Sequence, residues 1–216
     1  METNARLAPM NPTNSRITLS RYSLLFFLAF SFVILCINPG VHAQDSVVEL
    51  NPATTKIEFT LDAFLHTVHG SFKLKSGVIQ FNSSTGIARG AIVVDAISGE
   101  SGNNNRDNRM HHEILESGTF SEIVFSPKQI KGALAAEGVS RLEVSGELRL
   151  LGRDHDFTLA LNVESSGEQL RITSQAVIPY VQWGLKNPST LVLRVNDKVN
   201  IAIRATGRLR TAATTN

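Results

Sequence analysis

The chain has 216 residues, of which 42% are hydrophobic, 19% are charged and 6% are aromatic, and its formal net charge is +2. Three arginines and one glutamate within the first 43 residues account for that charge, so the rest of the chain is neutral with interspersed signs. This balance argues against the basic patch that nucleic-acid binding requires, and we expect no nucleic-acid partner. The length predicts one domain and a processed segment.

The first 43 residues have the three-part layout of a secretory signal peptide. A basic region is followed by an apolar run over residues 23–37 and by the small-residue cleavage site Val41-His42-Ala43. The apolar run is shorter than the ~20 residues of a membrane-spanning helix. We therefore expect cleavage near Ala43 and a domain over residues 44–216 that is periplasmic or secreted.

The only cysteine, Cys36, lies inside the apolar run. The alternative to cleavage after Ala43 is a lipoprotein with a lipid on Cys36, although such sites prefer a small residue at the position of Leu35. Cleavage after Ala43 would leave an exported chain without cysteine. Such a chain cannot form disulfides and needs a hydrophobic core, for which residues 44–216 are sufficient.

Most of the remaining chain alternates between apolar and polar residues, the pattern of strands buried on one face. Within residues 66–81 we expect a hairpin with Ser76-Gly77 as its turn, because glycine accepts a positive φ. Pro127 is expected to end the strand that begins at Ser121. The other strands are predicted over residues 56–61, 87–97, 141–150, 155–163, 170–178 and 193–209.

Residues 106–117 change period and predict the one short helix, since Met110 and Ile114 lie four residues apart. Eight or so long strands joined mostly by short turns predict an all-β fold, either a closed barrel or a sandwich. Strands of about ten residues span roughly 30 Å at ~3.3 Å per residue, which favours an extended eight-stranded antiparallel barrel. Such a barrel can enclose one small apolar ligand.

Three stretches in order resemble the YceI-like family of exported, lipocalin-like antiparallel barrels that bind polyisoprenoid lipids. They are residues 66–81 (HTVHGSF to GVIQF), residues 97–125 (ISG through RDNRMH to SGTF and IVF), and residues 144–157 (VSGEL with Gly152 and Phe157). The resemblance covers residues 47–207. It implies an isoprenoid or similar long apolar chain inside the barrel, transient membrane contact, and no cofactor or enzymatic activity. The helix departs from the family by its histidines, and residues 113–117 replace a Phe-rich segment.

With this resemblance, nine residues are predicted to bind the ligand. They are His66, Val68, Phe72, Leu74, Arg106, Asp107, Met110, Phe157 and Trp183.

Four of these residues have two interpretations, and two of the four are treated as a pair. His66, a polar ring on an apolar face, either hydrogen-bonds Tyr180 or the backbone inside the barrel, or holds the polar end of the ligand, because an unpaired buried imidazole costs free energy. Asp107 either caps the helix while Arg106 pins the preceding loop, or the pair closes the barrel mouth and Arg106 meets a lipid headgroup. Trp183 either packs as core or plug, or lines a ligand tunnel.

Two other functions remain open from the sequence. The first is an enzyme that uses His66, His111 or His112, with or without a metal held by His66, His111 and Asp107. The chain contains no G-x-S-x-G nucleophile motif, and we expect the histidines to serve as hydrogen-bonding or capping groups. The second is a filled barrel without a ligand that acts as a stress or interaction protein.

Overall fold

The computed structural model describes residues 45–190 and 194–211. The expected signal peptide, its cleavage site and Cys36 lie outside these residues. The strands are β1 (Asp45–Leu50), β2 (Lys56–Asp62), β3 (Thr67–Asn82), β4 (Ala88–Glu100), β5 (Glu122–Lys131), β6 (Glu137–Leu150), β7 (Arg153–Ser166), β8 (Gln169–Ile178) and β9 (Val199–Thr211). Between β4 and β5 lie an α-helix, α1 (Asn104–Arg109), and a π-helical turn (Met110–Ile114).

The strands β2 to β9 close into an eight-stranded antiparallel barrel. Each strand pairs with the next one along the chain, and β2 pairs with β9. The ninth strand, β1, pairs with both β3 and β9 beyond the end of β2. Closure removes the free sheet edges that would otherwise invite pairing with other chains. The all-β barrel with one short helical segment is therefore confirmed, although the sequence did not predict β1.

The hairpin turn predicted at Ser76-Gly77 is wrong. β3 continues through both residues, and its register with β4 shifts between Leu74 and Ser76. A Cβ on Gly77 would lie 2.8 Å from Cδ1 of Leu50, so the glycine allows β1 to approach closely. A glycine at a bulge and a glycine at a turn look alike in the sequence.

The expected strand end at Pro127 is also wrong, because β5 continues to Lys131. The register with β6 shifts between Pro127 and Gln129, which marks a bulge. A bulge tolerates proline because one residue there leaves the hydrogen-bond ladder. Pro127 faces Gly146, where a Cβ would lie 2.9 Å from the proline Cα.

The helical segment begins earlier than predicted. The side chain of Asn103 caps α1 by accepting a hydrogen bond from the backbone N–H of Arg106 (3.1 Å). Asp107 therefore does not serve as the N-cap. None of the helical segments in the described part of the chain has the length and apolar character that a membrane crossing requires.

A large irregularity in β4 shapes the end of the barrel beside α1. Ser71 pairs with Glu100, whereas Lys73 pairs with Asp95, so residues 96–99 leave the ladder. The backbone N–H of Lys73 donates instead to Oγ of Ser98 (2.8 Å). This bulge places the end of β4 at the barrel mouth.

Candidate ligand cavity

A cavity of about 440 Å³ lies inside the barrel at the end covered by the helical segment. We call it the upper cavity. Its volume falls within the range of about 300–1,000 Å³ that is typical of small-molecule sites. The strands contribute Phe59, Leu61, Val68, Phe72, Ile123, Leu150, Ile178, Val199 and Ile201 to its wall. The helical segment contributes Met110, Ile114 and Leu115. An apolar wall of this kind can accept an apolar chain by removing its surface from water.

Apart from Tyr180, the residues with polar side chains that line the cavity lie at its mouth. They are His66, Ser101, Asn105, Arg106 and Arg109.

Arg106 is fixed against the end of β4. Its Nε donates to Oγ of Ser101 and its Nη2 donates to the carbonyl oxygen of Ser101, both at 2.7 Å. Oδ1 of Asp107 accepts from the backbone N–H of Ser101 (2.9 Å) and from its hydroxyl. Arg106 and Asp107 thus both hold the loop at Ser101, between β4 and α1. Arg106 pins the loop, as one sequence interpretation stated, and it also lines the cavity.

Arg109 joins the helical segment to the chain before β9. Its Nη1 donates to the carbonyl oxygen of Pro188 (3.1 Å), and its Nε lies 3.1 Å from a carboxylate oxygen of Glu113. The ion pair is solvent-exposed and contributes little to stability. The bond to Pro188 spans the mouth and helps to hold the helical segment over it.

His111 has both ring nitrogens engaged. Nε2 lies 2.8 Å from the carbonyl oxygen of Gly99, and Nδ1 lies 2.9 Å from Oγ of Ser117. The carbonyl can only accept, so Nε2 carries a proton. These contacts join the helical segment to the end of β4 and to the chain that follows the helix.

The segment between β8 and β9 forms another part of the wall. The hydroxyl of Tyr180 donates to the carbonyl oxygen of Asn196 (2.6 Å), not to His66. Burial, with a smaller contribution from the negative charge of Asp197, raises the pKa of Tyr180 to about 12. The phenol therefore stays neutral at physiological pH, and its ring forms part of the apolar wall of the upper cavity.

Trp183 packs as a plug beside the cavity. Its ring stacks on His155 with centroids 4.4 Å apart, and it meets the edge of Phe157 at 5.9 Å. Neither Trp183 nor Phe157 lines the upper cavity. The structure thus favours the interpretation of Trp183 as core or plug.

Five of the nine residues predicted to bind a ligand line the upper cavity: His66, Val68, Phe72, Arg106 and Met110. The others lie elsewhere. Leu74 is buried below the cavity, Asp107 holds Ser101, and Phe157 and Trp183 pack against each other. The prediction missed Phe59 and Leu61, although both alternate with polar residues in the strand predicted over residues 56–61.

His66 is exposed, contrary to the expected burial with a hydrogen-bonding partner. Its carbonyl oxygen accepts from the backbone N–H of Ala63 (3.0 Å), and its ring faces the cavity mouth. Because water reaches the imidazole, it needs no protein partner. Within residues 45–190 and 194–211, no three histidine or carboxylate side chains are grouped so that they could hold a metal, and this includes His66, His111 and Asp107.

Several solved structures share this architecture. BcnA from Burkholderia cenocepacia matches with a TM-score of 0.59 and 14% identity over 73% of this chain and 98% of that one. A polyisoprenoid-binding domain from Saccharophagus degradans, implicated in plant cell wall breakdown, matches with a TM-score of 0.56 and 17% identity over 76% of this chain and 98% of that one. The YCEI protein of Campylobacter jejuni matches with a TM-score of 0.54 and 17% identity, over 67% and 86% respectively. At these identities the likeness shows the fold alone.

Among curated protein sequences, none is similar enough to match this chain. The model of the YceI-like domain, in contrast, matches residues 49–207. That range begins in β1 and ends in β9, so it contains all of β2 to β8 and most of β9. The chain belongs to the YceI-like family.

Proposed function

We propose that this protein is an exported lipid-binding protein that holds the apolar chain of an isoprenoid-type lipid in the upper cavity and thereby shields, stores or transports it. The observation that carries the proposal is a cavity of about 440 Å³ whose polar side chains, apart from Tyr180, are confined to its mouth. The Saccharophagus degradans domain with the same fold is described as polyisoprenoid-binding, which supports this ligand class. Binding would require no catalytic group, since burial of apolar surface contributes ~25 cal/mol per Å².

Lipid exchange would proceed by transient contact with a membrane. Phe64 and Leu65, in the loop between β2 and β3, are 81% and 70% exposed. They lie between Ala63 and His66, which both line the cavity. Adjacent exposed apolar side chains at a cavity mouth favour insertion into the interfacial region of a bilayer.

Export follows from the expected signal peptide. We propose that residues 44–216 form the mature domain, that it begins at Gln44, and that it functions in the periplasm or outside the cell. Mass spectrometry of the intact exported protein tests this processing. An N-terminus at Cys36 that carries lipid mass would overturn it and would attach the protein to a membrane.

The ligand itself is tested by mass spectrometry of lipids extracted from protein purified from its exporting host. We expect a stoichiometric apolar lipid. Val68→Phe should reduce the bound lipid because Val68 is buried in the cavity wall, and Val177→Phe should not, because Val177 is 51% exposed. Folded protein without extractable lipid, and without affinity for added isoprenoids, would leave the ligand-free barrel as the better account.

A further inference from the structure

We propose that the upper cavity is a chamber, closed at its lower end, that accepts a single short apolar tail with an anionic oxyanion headgroup, such as a carboxylate or a phosphate, at Arg106. This inference rests on the proposed lipid-binding function and narrows its ligand class. Two observations carry it: a packed layer of side chains closes the chamber from below, and cationic and hydrogen-bond-donating groups surround its mouth.

The interior of the barrel holds a second, smaller cavity of about 90 Å³, which we call the lower cavity. No residue lines both cavities. On β5, Ile123 lines the upper cavity, and Phe125, the next residue on the same face, lines the lower one. The two spaces therefore follow each other along the barrel axis with a layer of side chains between them.

Ile57, Leu74 and Leu148 form this dividing layer. They are 7%, 5% and 7% exposed, and they line neither cavity. Ile57 pairs with Phe72 of the upper cavity and with Ile203 of the lower one. Ile57 and Leu74 belong to one packed hydrophobic cluster and Leu148 to a second, and Ile92 and Leu161 pack against both. A tail that extended further would have to displace these packed side chains.

The layer limits the length of the tail. Along β2 and the residue that follows it, the upper cavity extends from Phe59 to Ala63, which is roughly 13 Å at ~3.3 Å per residue. A chain longer than this must fold back in the chamber, remain outside it, or displace the dividing layer. A polyisoprenoid of many units would therefore leave part of its chain in water.

The mouth presents donors of the kind that an anionic headgroup requires. Arg106 is half-buried and rigid, because Ser101 accepts from its Nε and Nη2, and its Nη1 hydrogen-bonds no described residue. The side chains of Asn105 and Arg109 lie at the same mouth, and the cavity lining includes no carboxylate. A guanidinium donates to carboxylate or phosphate oxygens in charge-assisted hydrogen bonds.

Two carboxylates lie close enough to reduce this positive charge. Glu113 pairs with Arg109, and Asp107 accepts from Ser101 beside Arg106. The charge of Arg109 is thus offset by an exposed partner, whereas none of the ion pairs among the described residues includes Arg106. Arg106 is therefore the cation available to a ligand.

The test measures affinities of delipidated, exported protein for a saturated fatty acid series from octanoate to behenate and for the matched alcohols. We expect the affinity to rise about fourfold per methylene and then to stop rising within the series. Leu74→Ala should move this limit to longer chains, whereas Leu142→Ala, the same deletion in the wall of the lower cavity, should not. Arg106→Gln should remove a preference for acids over alcohols of at least tenfold, and Arg171→Gln, on the outer surface, should preserve it.

Farnesyl phosphate and farnesol are measured as a second pair, so that a phosphate headgroup can be distinguished from a carboxylate headgroup. An affinity that rises to the longest chain, or equal binding of acids and alcohols, would overturn the inference while the lipid-binding function stands. If neither series nor a long isoprenoid bound, the proposed function itself would fail. Even if Leu74→Ala does not fold, the measurements on the unsubstituted protein decide whether the inference holds and whether the protein binds lipid.

Discussion

The imidazole of His111 lies 2.8 Å from the carbonyl oxygen of Gly99, and this contact joins the helical segment to the bulge at the end of β4. Gly99 has no side chain to prevent it. A Cβ there would lie 2.5 Å from the ring of Phe72 and 2.9 Å from the Met110 methyl group. The glycine thus lets a cavity wall, a covering helix and a hydrogen-bonding histidine meet at one point.

The first prediction concerns this contact. His111→Ala removes hydrogen bonds to Gly99 and Ser117, and we expect a loss of about 1–3 kcal/mol in the free energy of unfolding, measured by urea denaturation. Amide hydrogen exchange over α1 and the π-helical turn should accelerate more than exchange in the barrel strands. His112→Ala is the control, because His112 is exposed and its loss should stay within about 0.5 kcal/mol. Equal effects of the two substitutions would refute the positioning role.

The second prediction compares two phenylalanines. Phe72 lines the upper cavity of about 440 Å³, whereas Phe125 is 5% exposed and borders only the lower cavity of about 90 Å³. We expect Phe125→Ala to cost about 3–5 kcal/mol in thermal or urea unfolding and Phe72→Ala to cost clearly less. Phe72→Ala should also weaken lipid binding, since the lost contacts are not replaced. Lys73→Ala, on the outer face, should change neither quantity.

A full penalty at Phe72, equal to that at Phe125, would mean that its ring is packed on all sides. The upper cavity would then be too small for a ligand. A ligand-free barrel would become the better account of this protein.

The sequence predicts those features of the barrel that depend on local pattern. Alternation placed Leu142, Val144 and Leu148 on one face of β6, and the structure buries Val144 and Leu148 in the interior. The turn and strand-end signals that glycine and proline give in the sequence were less informative. Ser76-Gly77 and Pro127 lie at bulges, where long-range pairing overrides the local preference for a turn or a strand end.

The mouth of the cavity was harder to predict. Arg106 meets Ser101 because residues 96–99 leave the β4 ladder, and no local pattern specifies that register shift. Leu74 alternates with Phe72 and was assigned to the ligand, yet it belongs to the layer below the cavity. Position along the barrel axis depends on strand register, which alternation within one strand does not determine.

The third prediction concerns the exposed loop between β2 and β3. Phe64 faces Arg194 across a backbone hydrogen bond of 2.9 Å, and the same two segments carry the carboxylates of Asp62 and Asp197 and the ammonium group of Lys198. The charges offset each other, so apolar insertion should dominate membrane binding. We expect sedimentation with phosphatidylcholine vesicles to depend weakly on salt.

Replacing both Phe64 and Leu65 with serine should reduce vesicle binding without loss of stability, because the two side chains are 81% and 70% exposed. Val139→Ser is the matched control, since Val139 is 71% exposed near the opposite end of the barrel. Binding that disappears at moderate salt would indicate an electrostatic surface instead. Undiminished binding of the double variant would place the contact elsewhere.

The last prediction is a pH dependence from Tyr180. Its pKa is about 12 in the folded protein, compared with 10.0 in an unfolded chain, so below pH 10 the phenol is protonated in both states and contributes no slope. Between these values the unfolded chain releases the proton while the folded protein retains it, and stability falls as pH rises, by up to about 3 kcal/mol.

Tyr180→Phe removes this slope, and it also removes the hydrogen bond to Asn196, which costs ~1 kcal/mol. The unsubstituted protein should therefore be more stable at neutral pH, and the order should reverse at high pH. Urea unfolding at both pH values measures this reversal, and tyrosinate absorbance follows the proton directly, because Tyr180 is the only tyrosine after residue 43. Parallel stability curves for the two proteins would show that water reaches the phenol and that burial does not control its ionisation.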